Sequence, residues 1–97
     1  MKIKNLKIMG SNYKIEEVEQ IDKWQRLLGQ IDYINQTIKI DKNIPEDLKM
    51  DTLIHEIIHG VLDKLGYVEI NSDEQKVNGI ANALFAVLKD NDLLKGV

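Results

Sequence analysis

The chain has 97 residues, of which 43% are hydrophobic and 30% are charged, and its formal net charge is −3. This length supports one hydrophobic core without room for a second lobe, so we expect a single domain over residues 1–97. The acidic balance argues against nucleic acid or an anionic membrane as partner. Without cysteine, a signal peptide or a membrane-spanning stretch, the sequence predicts a cytoplasmic protein.

The first part of the chain predicts an antiparallel hairpin. Apolar residues alternate imperfectly from Lys2 to Met9, Gly10 to Asn12 form a turn cluster, and Tyr13 to Val18 alternate again. A later set of apolar residues also fits helical spacing, which leaves the end of the second strand open: Val18, Ile21, Trp24 and Leu28. We expect Trp24 in the core or in a lid, since no basic cluster accompanies it as a base-stacking site would require.

A second hairpin is predicted more clearly. Gly29 to Ile34 and Thr37 to Ile40 are rich in β-branched residues, and Asn35-Gln36 separates them as a turn. Ile38 and Ile40 fall on one face of the second strand, as burial of that face requires. The two hairpins predict a small, mostly antiparallel sheet.

The segment from Thr52 to Gly60 holds both histidines of the chain in a His-Glu-x-x-His pattern. On a helix, His55 and His59 lie on the same face and can present two ring nitrogens to one metal ion. Glu56 lies about 100° around the helix, where its carboxylate can take a proton from a metal-bound water, as in zinc peptidases. Two histidines that merely line a core are the less favoured interpretation, because the pattern fixes residue types as well as spacing.

The surrounding sequence supplies the helix that this pattern needs. Pro45 suits its first turn, and Gly66 suits the position just after its last turn. Its apolar residues form a wide arc with the histidines at the edge: Leu48, Met50, Leu53, Ile54, Ile57, Ile58, Val61, Leu62 and Leu65. We expect the helix to pack this arc against the sheet.

A third metal ligand must be a carboxylate or water, because no cysteine and no further histidine exist. Leu62 and Leu65 occupy the places of the glycine and histidine in the longer three-histidine pattern, which is therefore excluded. Four acidic residues follow within reach: Asp63, Glu69, Asp73 and Glu74. Glu74 is favoured, with Asp73 as an alternative and a dipole-stabilised helix charge as another. We expect Asp63 to orient His59 from outside the ligand set.

Glu74 opens the pattern of a last helix. It extends an apolar stripe that we expect to be buried: Val77, Ile80, Ala81, Leu84, Val87 and Leu88. Ser72 with Gln75 predicts a capping box at its start, and Asp90 to Asp92 predict its end. Small residues on this helix favour close approach to the histidine helix: Gly79, Ala81, Ala83 and Ala86. The expected fold is α+β, a minimal zincin-like arrangement of sheet, histidine helix and C-terminal helix.

These residues resemble a known group of proteins. Thr52 to His59, Glu74 with Val77 three residues later, and Leu88 to Asn91 are similar to small phage and prophage metallopeptidase-like proteins of the gluzincin type, related to the ImmA/IrrE metallo-endopeptidases. The resemblance implies zinc bound by His55, His59 and Glu74. Where larger gluzincins place an acidic residue four positions after the ligand glutamate, this chain has Asn78, whose amide can still accept a hydrogen bond from a ligand histidine.

The leading hypothesis from the sequence is zinc-dependent hydrolysis of a peptide bond in a protein or peptide substrate, with Glu56 as general base. Tyr67 is a candidate for stabilising the oxyanion, although packing is the favoured role for this side chain. One strand of the second hairpin is a candidate for pairing with the substrate backbone. The resemblance implies a phage or mobile-element protein in a bacterial cytoplasm that cuts a host or repressor protein.

Two alternatives stay open at this point. The first is a protein-interaction module that keeps a metal-stabilised peptidase fold without turnover, which the small size of the chain favours. The second, less favoured, is a two-histidine, one-carboxylate iron site, in which Glu56 would have no role.

Overall fold

The computed structural model describes residues 1–95 and confirms the expected α+β class. The elements in chain order are β1 Asn5–Ile8, β2 Ser11–Val18, β3 Gly29–Asp32, β4 Thr37–Asp41, α1 Glu46–Leu65, α2 Val68–Asn71 and α3 Glu74–Asp90. Within residues 1–95, no helix is both long and apolar enough to cross a membrane.

The four strands form one mixed sheet in the order β1-β2-β4-β3. β1 pairs antiparallel with β2, β3 pairs antiparallel with β4, and the central β2–β4 pair is parallel. Two of the three pairings are therefore antiparallel, as the hairpins predict. Among residues 1–95, β3 has a neighbour on one side only, so its other edge is free of any described strand.

The first hairpin turns earlier than its sequence predicts. Met9 and Gly10 have φ angles of 46° and 92°, and Ser11 already pairs with Ile8 across the turn. Two consecutive positive φ angles are typical of the tight type I′ turn, which matches the twist of the flanking strands. The turn is thus Met9-Gly10, and the predicted cluster from Gly10 to Asn12 contributes mainly to β2.

The segment between β2 and β3 is irregular, and the helical interpretation of it is wrong. The Asp22 carboxylate accepts hydrogen bonds from the backbone N–H groups of Trp24 and Gln25, at 2.7 and 3.2 Å. Such side-chain caps offer the backbone an alternative to helical hydrogen bonds. Trp24 is 90% exposed, so the core, one of the two places predicted for it, is wrong.

The second hairpin forms with a longer turn than predicted. Tyr33 to Gln36 make a four-residue turn, because the Asp32 carboxylate accepts the N–H groups of Ile34 and Asn35 and ends the strand. Ile34 therefore lies in the turn, exposed, instead of in β3. Ile38 is fully buried in β4, as is Ile40, which confirms the predicted inward face.

α1 lies on the sheet and also contacts α2 and α3. Gly66 follows its last turn with φ 74°, the predicted left-handed stop, and Pro45 precedes its first turn. At Gly60 the helix approaches the sheet so closely that a Cβ would lie 2.7 Å from Ile8 Cδ1. The buried core between helix and sheet consists of Ile8, Tyr13, Ile15, Ile38, Ile40, Ile44 and Leu53.

α3 packs on α1 and has no contact with the strands in the part of the chain that the structure describes. Val77 and Ala81 are its buried residues, which confirms only part of the predicted stripe. Three members of that stripe are instead exposed, at 45, 40 and 54%: Ile80, Leu84 and Val87. The reason is that α1 covers only one side of α3.

The start of α3 also differs from the prediction. Asp73 caps the helix by accepting the N–H of Lys76 at 3.2 Å, whereas the Ser72 hydroxyl donates to the carbonyl of Glu69. The predicted capping box is therefore wrong, although Glu74 does stand in the first turn and Asp90 ends the helix.

Candidate metal centre

The structure brings His55, His59 and Glu74 together. The two histidines come from successive turns of α1, and α2 returns the chain so that Glu74, the first residue of α3, faces them. Nε2 of His55 lies 3.1 Å from one carboxylate oxygen of Glu74, and Nε2 of His59 lies 2.8 Å from the other. One ligand atom from each residue falls within 4.8 Å of the others, so the three side chains can hold a metal ion.

The opposite nitrogen of each imidazole has an amide partner. Nδ1 of His55 lies 3.0 Å from Asn78 Oδ1, and Nδ1 of His59 lies 2.6 Å from Asn71 Oδ1. The amide nitrogen of Asn71 donates in turn to the Tyr33 hydroxyl, at 3.3 Å. An amide oxygen accepts and cannot donate, so each Nδ1 carries the hydrogen. A ring held in this way, when it is neutral, has its Nε2 lone pair free for a cation, the arrangement found for metal-ligating histidines.

This arrangement fits a divalent metal. Without a cation or extra protons, two Nε2 lone pairs would face two carboxylate oxygens at hydrogen-bonding distance and repel them. A tetrahedral zinc ion with bonds of about 2.0–2.1 Å separates its ligand atoms by about 3.3 Å. The 2.8 and 3.1 Å separations join the two Nε2 atoms to different oxygens of Glu74, and one ligand atom from each residue lies within 4.8 Å of the others, so a shift of the side chains can bring all three onto one ion. Glu74 is largely exposed and free to make that shift.

Glu56 lies beside the three candidate ligands but is buried, with 7% of its surface exposed. Burial raises the pKa of its carboxyl group, and the neighbouring His55 and His59 oppose the rise. A carboxyl group held in an apolar wall, with its proton affinity raised, is suited to accepting a proton during a reaction.

The candidate ligands and Glu56 lie in a cavity of about 690 Å³ between α1, α3 and the edge strand β3. Its apolar wall is formed by Leu27, Leu28, Ile31 and Leu48. At its floor, a Cβ placed on Gly29 would lie 2.5 Å from Thr52 Cγ2 and 3.3 Å from Glu56 Oε2. Gly29 thus lets β3 pass directly over Glu56, which brings the free edge of the sheet to the candidate centre.

The structure does not bring every candidate residue to the centre. Tyr67 precedes α2, half exposed, and is not among the residues that line the cavity. Asp73 caps α3, so its carboxylate has a structural partner. Asp63 is exposed, and Asn71 takes the place beside His59 that Asp63 was expected to fill.

Sequence reasoning missed two residues near the centre. Tyr33 lines the cavity and contacts Asn71, and Asn71 holds His59. No local pattern marks either of them, because Tyr33 lies in the turn between β3 and β4 and Asn71 ends α2, and the sequence does not predict the course of these segments. Asn78 was anticipated, because the resemblance to gluzincins drew attention to the position four residues after Glu74, and Asn78 contacts His55 there.

Comparisons of the chain with models of protein families, with curated proteins and with solved structures found no match.

Proposed function

We propose that this protein is a zinc-dependent peptide hydrolase of the gluzincin type, in which His55, His59 and Glu74 hold the ion. The observation that carries the proposal is the pair of imidazoles whose Nε2 atoms face one carboxylate, with the buried Glu56 beside them in an open cavity. A structural zinc site needs neither an open cavity nor an extra carboxylate next to it.

A zinc ion held there would polarise the scissile carbonyl and acidify the attacking water. Glu56 accepts a proton from that water as its oxygen bonds to the carbonyl carbon. The same carboxyl group then gives the proton to the departing nitrogen as the C–N bond breaks. Asn71 and Asn78 hold the two imidazoles in the tautomer that keeps Nε2 free.

The free edge of β3 favours an extended peptide as the kind of substrate that the protein binds. Leu28 accepts a hydrogen bond from the Asp41 N–H, so the backbone groups of Leu28 and Gln30 point toward β4. By the alternation of antiparallel pairing, the N–H and C=O groups of Gly29 and Ile31 point away from β4. A peptide strand can pair with these groups and pass the reacting centre, a common mode of peptide recognition.

Zinc stoichiometry after reconstitution tests the metal site. We expect about one zinc per wild-type chain by elemental analysis and much weaker retention in Glu74→Ala. Glu69→Ala is the matched control, because it removes an exposed carboxylate that lies outside the candidate ligand set. If wild type holds no zinc, or if Glu74→Ala holds it as tightly as Glu69→Ala does, the proposed site is wrong.

Cleavage of a diverse peptide mixture, followed by mass spectrometry, tests the chemistry. We expect the zinc-loaded wild type to cleave and Glu56→Gln to keep its zinc while losing at least about 100-fold in rate. Equal rates for the two proteins would contradict the role of Glu56. Full zinc occupancy without cleavage of any peptide would favour the protein-interaction module instead, consistent with the position of Tyr67 outside the cavity lining.

A further inference from the structure

Asp51 lines the cavity one helical turn before the candidate metal ligands. It precedes His55 by four residues on α1, so the two side chains lie on one face of the helix, about 6 Å apart along its axis. Asp51 is partly buried and borders the cavity together with Leu48. The cavity therefore contains a carboxylate that the proposed hydrolysis does not use.

The carboxylate of Asp51 is oriented by Asn82 of α3. The amide nitrogen of Asn82 lies 3.1 and 3.2 Å from the two carboxylate oxygens, because an amide oxygen in that place would face only acceptors. The amide has two hydrogens, so it occupies at most two of the four lone-pair positions of the carboxylate. Asn82 thus fixes the direction of this carboxylate and leaves its negative charge uncompensated.

The negative charge of Asp51 has no opposite charge beside it. None of the ion pairs among residues 1–95 includes Asp51, and no lysine or arginine in this part of the chain lines the cavity. The other two carboxylates of the cavity belong to the proposed zinc centre, Glu74 as a ligand and Glu56 as the base. A carboxylate that is partly withdrawn from water loses hydration, and a positively charged group of a bound substrate would compensate for that loss.

A second observation also indicates that the cavity is built to take a ligand. Glu56 lines it with only 7% of its surface exposed, and no hydrogen bond from residues 1–95 is among the causes that shift its pKa. Buried polar groups normally have a hydrogen-bond partner. The partner of Glu56 is therefore expected to enter with the substrate and its attacking water.

The Asp51 end of the cavity has an apolar wall. Gly29 lies against Thr52, and eight residues later along α1, Gly60 lies against Ile31. β3 therefore runs beside α1 in the same direction, which places the residues just before β3 toward Asp51. The wall there consists of Leu27, Leu28 and Leu48. Lysine and arginine side chains pack their methylene groups along such a surface and keep the charged end at a polar group.

We propose that Asp51 determines the specificity of the protein by binding the cationic side chain of a lysine or arginine close to the scissile bond of the substrate. This inference rests on the hydrolase function proposed above and adds the class of residue that the cavity recognises. A neutral side chain at the same position leaves the charge of Asp51 uncompensated, and an acidic one opposes it, so both are disfavoured.

Binding of a small probe tests this role without zinc and without turnover. The variant Glu56→Gln/Glu74→Gln leaves Asp51 as the single carboxylate that lines the cavity among residues 1–95. We expect Nα-acetyl-lysine amide to shift the NMR signals of Asp51 and to bind at least about tenfold more tightly than Nα-acetyl-norleucine amide, which lacks only the ammonium group.

Two further variants, made in the same background, complete the binding test. Adding Asp51→Asn should abolish the preference for the lysine probe. Asp63→Asn is the matched control, because it makes the same change at an exposed position of α1, and it should leave the preference unchanged. The dispersion of the NMR signals verifies that each variant is folded. Equal binding of the two probes, or a preference that survives Asp51→Asn, would overturn the proposal.

Cleavage of a peptide library by the zinc-loaded protein tests specificity in the reaction. We expect kcat/KM to be at least about tenfold higher for lysine or arginine than for norleucine at one position near the cleaved bond. Asp51→Lys should favour glutamate at that position while still binding about one zinc per chain. Cleavage with no basic preference would overturn the role of Asp51 and leave the hydrolase function standing. If no peptide is cleaved but the probes bind as expected, the hydrolase function is wrong and the cation-binding role of Asp51 stands.

Discussion

Gly29→Ala should destabilise the protein because β3 and α1 are in close contact at this point. The added Cβ would lie 2.5 Å from Thr52 Cγ2, whereas two carbon atoms touch at about 3.5–4.0 Å. Overpacking of this kind costs about 1–3 kcal/mol, and the lower entropy of the unfolded alanine chain offsets about 0.5–1 kcal/mol. Gly29 has no positive φ angle, so backbone strain adds nothing. The free energy of unfolding should fall by about 1–2 kcal/mol.

Urea denaturation of the metal-free protein, followed by circular dichroism, measures this change. Thr52→Ser removes the methyl group that clashes, so the double variant Gly29→Ala/Thr52→Ser should recover about 1 kcal/mol relative to the sum of the two single changes. Gly79→Ala is a matched control in open space on a helix, and it should raise the free energy of unfolding by about 0.5–1 kcal/mol. A stable Gly29→Ala variant, or strictly additive effects in the cycle, would refute the close contact.

Three further predictions concern the candidate metal centre, the ion pair between Lys49 and Glu17, and the edge of β3. Asn71→Ala should weaken zinc binding by about 10–100-fold in a competition titration, since His59 loses the partner of its Nδ1; unchanged affinity would contradict this. Hydrogen bonds from Lys49 and, to a smaller extent, from the Met1 amino group lower the pKa of Glu17 to about 2. That stabilisation is present above pH 4.5 and is lost as the pH falls toward 2, so Lys49→Met should flatten the acid limb of a stability profile. A cleaved peptide whose backbone N–H opposite Gly29 or Ile31 is methylated or replaced by an ester oxygen should react at least about tenfold more slowly, and an equal rate would exclude strand pairing.

The parts of the structure that follow from local pattern were predictable from the sequence. The histidine helix ends at Gly66 as expected, because a left-handed residue at that position is a local requirement. The grouping of His55, His59 and Glu74 was also anticipated, although the premise that Glu74 extends a buried stripe is wrong, because Glu74 is largely exposed.

The errors arise where burial depends on distant parts of the chain. The stripe on α3 is apolar on both sides of Val77, and the sequence does not say how many elements pack against it. Trp24 is apolar and yet exposed, because Asp22 fixes the loop that carries it. Asn71 could not be chosen over Asp63 as the partner of His59, because the choice depends on how α2 turns the chain.

The metal should stabilise α3 more than the sheet. α3 contacts only helices among the described residues, and Val77 and Ala81 are its buried side chains. Its attachment to α1 therefore rests on a small apolar area and on polar contacts: Glu74 with the two histidines, Asn78 with His55, and Lys89 with Asp47. Zinc at 100 times its dissociation constant would add about 2.7 kcal/mol to the folded state. Hydrogen exchange should therefore slow on zinc binding, most strongly in α3, if α3 detaches before the sheet opens.

Exchange measured by mass spectrometry on wild type and on Glu74→Ala separates this effect from general stabilisation. In wild type, protection should increase more in peptides from α3 than in peptides from β2 and β4, whose buried residues already form the core. In Glu74→Ala, zinc should leave the α3 peptides nearly unchanged, because the ion no longer joins the two helices. Uniform protection across the chain would mean that α3 and the sheet unfold as one unit, and that Glu74 does not control the attachment of α3.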